Sequence, residues 1–61
     1  MTQEYDIKGM VTRIKALRDN AEELKEISGG IPAVVKNADR ILANVSMLEI
    51  NITDAAEIIG E

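Results

Sequence analysis

The sequence predicts an all-α protein, an antiparallel two-helix hairpin that dimerises into a four-helix bundle. Three observations support this prediction: a single break in the helical pattern, an apolar stripe at helical spacing on each side of the break, and a chain of only 61 residues without cysteine or histidine. A chain this short buries only about 60% of its unfolded surface. Because disulfides and histidine-based metal sites are excluded, oligomerisation is the remaining source of extra stability.

The break is the segment Ser28-Gly29-Gly30-Ile31-Pro32. Glycine just past one helix and proline just inside the next is the expected asymmetry of helix ends. Gly29 suits the left-handed conformation that ends a helix, and Pro32 lacks only an amide that the first helical turn leaves unpaired. The sequence therefore predicts one helical-hairpin domain over residues 1–61, with helix 1 at about 2–28, a turn at 29–31 and helix 2 at about 32–59.

On each side of the break, apolar residues recur at alternating spacings of three and four, which is the heptad pattern of packed helices. The stripe of helix 1 comprises Ile7, Met10, Ile14, Leu17, Ala21, Leu24 and Ser28, and that of helix 2 comprises Ile31, Val34, Ala38, Ile41, Val45, Leu48, Ile52, Ala55 and Ile59. Numbering the heptads from Ile7 and from Ile31 as position a places every stripe residue at a or d.

Two helices of similar length joined by a short loop predict antiparallel packing. Two registers fit the stripes, one in which the numbers of facing residues sum to 62 and one in which they sum to 55. The first register pairs large with small residues better. It places Ile14, Leu17, Val45 and Leu48 in the central layers of the core.

The apolar stripes are wider than a single pair of helices requires. Position e adds Val11, Val35, Leu42 and Ala56, and position g adds Ile27. A stripe of about three positions in seven is typical of a helix packed against two neighbours. The sequence thus predicts a homodimer, with an interface formed by Val35, Leu42 and Ala56 at e and by Asn37, Asn44 and Asn51 at g. The three asparagines are either a polar border of the stripe or an amide ladder that fixes the register of the dimer.

At this level of architecture, the heptad stripes and the Gly29-Gly30-Ile31-Pro32 turn resemble those of Rop-like proteins. This resemblance implies a homodimeric antiparallel four-helix bundle. It also implies an alternative function as a Rop-like nucleic-acid-binding regulator, because the founding member binds RNA through a cationic face that carries an aromatic residue. Here the formal net charge is −4, phenylalanine and tryptophan are absent, and the basic residues of helix 1 alternate with acidic ones. This composition argues against nucleic acid as a partner.

The sequence offers no catalytic, cofactor-binding or metal-binding constellation. Without histidine or cysteine, serine and threonine have no base to activate them, and a bundle-type metal site lacks its usual ligands. Glu22, Glu23 and Glu26 fall at b, c and f, on the solvent side, where Arg18 and Lys25 are expected to offset them. We therefore predict no enzymatic activity and no cofactor.

Ala43, Met47 and Ile50 lie at f, c and f, on the side of helix 2 away from the seam. They are ordinary surface, part of a wider dimer interface, or a docking patch for a partner helix. The sequence favours a non-enzymatic protein–protein interaction module (an adaptor, assembly factor or regulator) that binds itself and another protein. The N-terminus has no signal-peptide pattern, and the apolar run 41–52 is too short to span a bilayer, so the expected location is cytoplasmic and no membrane partner is expected.

Overall fold

A computed structural model describes residues 6–59, with the side chains of residues 6–55. Two helices, α1 (Ile7–Ile27) and α2 (Pro32–Ile59), make up this part of the chain and pack against each other as an antiparallel hairpin without any strand. The predicted all-α hairpin is therefore confirmed. Within the same residues, neither helix has the length and apolar character that crossing a bilayer requires.

The first helix begins at Ile7 because Asp6 caps it. Asp6 has non-helical torsion angles (φ −90°, ψ 78°), and the backbone N–H of Gly9 donates to its Oδ1 at 2.9 Å. This is the N-cap interaction for which aspartate is preferred. A Cβ on residue 9 would collide with the capping carboxylate, so the cap explains the glycine at this position. The prediction that helix 1 already includes Asp6 is wrong, and its predicted residues 2–5 lie outside the described part of the chain.

The turn between the helices depends on its two glycines. The N–H of Ile31 donates to the carbonyl oxygen of Ser28 at 3.3 Å, and the two residues between them, Gly29 and Gly30, have φ values of 65° and 83°. Side chains other than glycine rarely adopt two successive positive φ angles. The Ser28 hydroxyl donates to the carbonyl oxygen of Lys25 and accepts from the N–H of Gly30, which holds the end of α1 in place.

Only one of the two heptad positions of the stripe is buried in the seam. The buried residues of the described part are Ile14, Ala21, Ala38 and Val45, all at position a. The d residues Leu17 and Leu48 retain 47% and 39% of their exposure, so the prediction that both lie in the core is wrong for the single hairpin. The seam is centred on position a and turned toward e, the side on which charged residues at e and b pair across it, as described below.

Polar contacts between the helices determine the hairpin register. Arg18 donates to Ser46, and Lys25 forms an ion pair with Asp39, so the residue numbers sum to 64 in both contacts, and they sum to 67 in the ion pair of Arg18 with Glu49. These sums are closer to the predicted register of 62 than to the alternative of 55. The offset follows from the use of e and b positions, which lie beside the a positions of the seam.

The hairpin is a single layer of helices. It measures 46 × 20 × 15 Å, and the shortest dimension is only slightly more than the roughly 10–12 Å diameter of one helix with its side chains. Its radius of gyration is 14.4 Å, against about 10.5 Å for a compact domain of this length. Because stable domains consist of at least two packed layers around a core, this hairpin has one layer fewer than expected.

Candidate interaction surfaces

The two sides of the hairpin differ in chemistry. On one side, Val11, Lys15 and Arg18 of α1 line a shallow groove of about 440 Å³ together with Glu49 and Thr53 of α2. On the other side, a groove of about 400 Å³ is lined by Met10 and Arg13 of α1 and Leu48 of α2, among others. The first groove contains residues at b and e, whereas the second contains residues at d and g. The a residues between them form the seam.

The first side, which we call the charged face, is crossed by two ion pairs. The guanidinium of Arg18 donates from Nη2 to Oε1 of Glu49 at 2.7 Å and from Nε to Oε2 at 3.0 Å, a bidentate geometry. Its Nη2 also donates to the Ser46 hydroxyl at 3.2 Å. Two turns nearer the loop, Nζ of Lys25 lies 2.7 Å from Oδ1 of Asp39. Bidentate arginine–carboxylate pairs have more geometric specificity than single contacts, so this pair helps to set the register.

These pairs correct the sequence interpretation of Arg18 and Lys25. Both were expected to offset Glu22, Glu23 and Glu26 on the surface of helix 1, whereas in the structure both reach across to α2. The heptad positions contain the signal for this pairing. Arg18, Lys25 and Glu49 are at e and Asp39 is at b, which are the positions that meet on one side of an antiparallel pair.

The hydrogen bonds from Arg18 lower the pKa of the Glu49 carboxyl below the ordinary range of glutamate. The folded state therefore favours the ionised carboxylate and binds fewer protons at this site than the unfolded chain. The resulting stabilisation is complete above the unfolded-state pKa and is lost as the pH falls through the lowered folded-state pKa. The ion pair is partly solvated, so its contribution decreases with salt.

We expect Glu49→Gln to lose part of the acid sensitivity of the hairpin. In urea unfolding followed by circular dichroism, the wild-type midpoint should fall between pH 7 and pH 3 by more than that of Glu49→Gln. Glu23→Gln is the matched control, since Glu23 is exposed and forms no ion pair among the described residues. Equal acid sensitivity in Glu49→Gln and the wild type would contradict the role of this pair.

The second side, which we call the leucine face, consists of the d residues Leu17, Leu24, Ile41 and Leu48 with the g residues Asn20, Asn37, Asn44 and Asn51 beside them. All eight side chains are exposed, and the four apolar ones retain between 39% and 47% of their exposure. The amide of Asn37 donates back to the carbonyl oxygen of Ala33 at 2.8 Å, within its own helix. Arg13 is the one charged residue at d or g within Ile7–Ala55. This face is therefore apolar with an amide border.

The predicted dimer interface is divided between the two faces. Val35 and Leu42, at e, are half-buried beside the charged face, where Leu42 lines a groove with Glu22, Lys25 and Glu26. The asparagines 37, 44 and 51, at g, are exposed along the leucine face. The side chain of Ala56 lies outside the described residues. The predicted e and g groups therefore lie on different sides of the seam.

A third surface lies on the side of α2 that points away from α1. Met47 and Ile50 retain 55% and 53% of their exposure, and Ala43 is exposed beside them. These three residues, predicted as a partner patch, thus lie together and outside the seam of the hairpin. Along the same side, Lys36 and Arg40 precede them and Asp54 follows, all exposed. We call this set, from Lys36 to Asp54, the outer face of α2.

Among the described residues, no group of three acidic side chains is arranged to hold a metal ion. The grooves on both sides of the seam are open and shallow. No family model matches the chain, and the comparisons with curated proteins and with solved structures gave no match.

Proposed function

We propose that the chain is a small non-enzymatic protein–protein interaction module (an adaptor, assembly factor or regulator) that acts as a homodimer. In this proposal, the leucine face of one hairpin packs on the leucine face of a second copy to complete a four-helix bundle. The exposure of four large d residues along one face, beside four amides, is the observation that carries it. An apolar surface of this kind on a soluble chain is typical of an interaction site.

The shape of the hairpin supports a second copy as the partner. The hairpin is a single layer of helices with a shortest dimension of 15 Å, and stable domains have at least two packed layers. A second hairpin on the leucine face would supply the missing second layer.

The contrast between the faces supports the choice of the leucine face. Packing the charged face against a copy of itself would bury Arg18, Lys25 and their partners, at a large desolvation cost. The leucine face instead buries apolar side chains centrally and leaves amides at the rim, which is the usual composition of a dimer interface. Amides at the rim also hydrogen-bond across an interface without the cost of burying a charge.

The charged face also bears on the alternative of nucleic-acid binding. Two of its basic residues, Arg18 and Lys25, are already paired with carboxylates. Neutralised cations release few counterions from a phosphate backbone, and so contribute little affinity for nucleic acid. The alternative is tested by titrating labelled RNA and DNA at low salt, where a phosphate-binding protein gives tight binding that weakens steeply with added salt.

The dimer is tested by its dependence on concentration. Sedimentation equilibrium should give twice the chain mass of 6.7 kDa at tens of micromolar, and the melting temperature should rise with protein concentration because folding and association are linked. A folded monomer at these concentrations, with a melting temperature independent of concentration, would refute the homodimer.

A further inference from the structure

Beyond the dimer, we propose that the outer face of α2 is a second self-association surface, on which α2 of another copy packs antiparallel with Met47 at the centre. This surface is independent of the leucine face. Its core positions, c and f, are centred about 100° around the helix from d and g, so one copy can use both faces at once. Two such contacts on each chain would join bundles into tetramers or longer assemblies.

The residues of the outer face are arranged symmetrically about Met47. In an antiparallel pair centred there, Met47 meets its own copy, and Ile50 faces Ala43 of the second chain on either side. Seven residues from the centre in each direction, Arg40 faces Asp54 of the second chain. Large residues therefore oppose small ones on both sides of the central Met47 pair, and opposite charges meet at both ends. A surface that complements itself in this way fits an isologous two-fold contact.

Charged residues lie at the two ends of the outer face. Lys36 and Arg40 are like charges one turn apart, which destabilises a helix. Neither Arg40 nor Asp54 forms an ion pair among the described residues, and neither has an opposite charge three or four positions away in the sequence.

An antiparallel second copy supplies a carboxylate to Arg40 and a guanidinium to Asp54 at both ends of the contact. It therefore gives both residues the opposite charge with which they form no ion pair among the described residues of the hairpin.

A charge exchange tests the proposal. Arg40→Glu replaces two attractive contacts of the symmetric interface with two repulsive ones. It should weaken association at this surface about tenfold or more, since two attractive contacts are lost and two repulsive ones are added. The double variant Arg40→Glu with Asp54→Arg exchanges the charges and should restore association to near the wild-type level. Lys15→Glu is the matched control, because it changes net charge as Arg40→Glu does but lies on α1.

The measurement is sedimentation velocity from 10 μM to 2 mM, with helix content followed by circular dichroism. The wild type should add a second association step above the dimer at high concentration. Arg40→Glu should lose that step, whereas Lys15→Glu and the double variant should keep it. If the chain does not dimerise through the leucine face, the charge-sensitive association step should appear as a monomer-to-dimer step. The experiment therefore distinguishes a failure of the leucine-face dimer from a failure of the outer-face contact. The absence of any charge-sensitive step up to 2 mM, or a folded double variant that does not recover it, would overturn the proposal.

Discussion

We expect Ala38→Leu to lower the free energy of unfolding of the hairpin strongly. Ala38 is completely buried and Ala21 retains 4% of its exposure, so the helices approach each other at residues without a long side chain. A leucine at position 38 adds three carbon atoms where no space remains, and forces the helices apart. Overpacking of this kind costs about 1–3 kcal/mol. A domain of this size has only a few kcal/mol in total, so most of its stability would be lost.

The measurement is the urea midpoint at fixed protein concentration. Ala16→Leu is the matched control, because Ala16 is exposed in the middle of α1 and the change is chemically identical. It should leave the midpoint nearly unchanged, since alanine and leucine have similar helix propensities. If Ala38→Leu and Ala16→Leu unfold at the same urea concentration as the wild type, the close helix approach at position 38 is wrong.

The helices and the turn could be predicted from the sequence because they depend on local rules. The stripes fix the helical period, and the pair Gly29-Gly30 before Pro32 fixes where one helix ends and the next begins. The start of α1 at Ile7 also has a local signal, which the apolar stripes do not contain. Asp6 is a preferred capping residue, and the glycine three positions later leaves room for its carboxylate.

The rotation of the seam could not be predicted from the stripes alone. Positions a and d follow the same period in both helices, so periodicity does not indicate which of them a single partner helix covers. In the structure the buried residues are all at a, and the ion pairs of Arg18 and Lys25 lie on the e side of the seam. That rotation exposes Leu17 and Leu48. The candidate interaction face follows from this rotation, and so becomes visible only in three dimensions.

Leu17→Ala is expected to cost about 2–5 kcal/mol of unfolding free energy per chain, because the proposed dimer buries this side chain fully. The size of the effect discriminates between the possible states of the leucine face. In an isolated hairpin Leu17 retains 47% of its exposure, so its burial contributes only about half of the 1.5–3 kcal/mol available to a fully buried leucine. A cost well above about 1.5 kcal/mol therefore requires additional atoms packed on the leucine face.

Val11→Ala provides the matched control on the other side of the seam. Val11 retains 48% of its exposure, nearly the same as Leu17, but it lies at e beside the charged face. Its truncation should cost no more than about 1 kcal/mol, as expected for a half-exposed valine. Leu17→Ala should also shift sedimentation toward the monomer, whereas Val11→Ala should leave the dimer intact. If both variants lose the same small amount of stability and neither changes the mass in solution, the leucine face is not covered, and the homodimer must be abandoned.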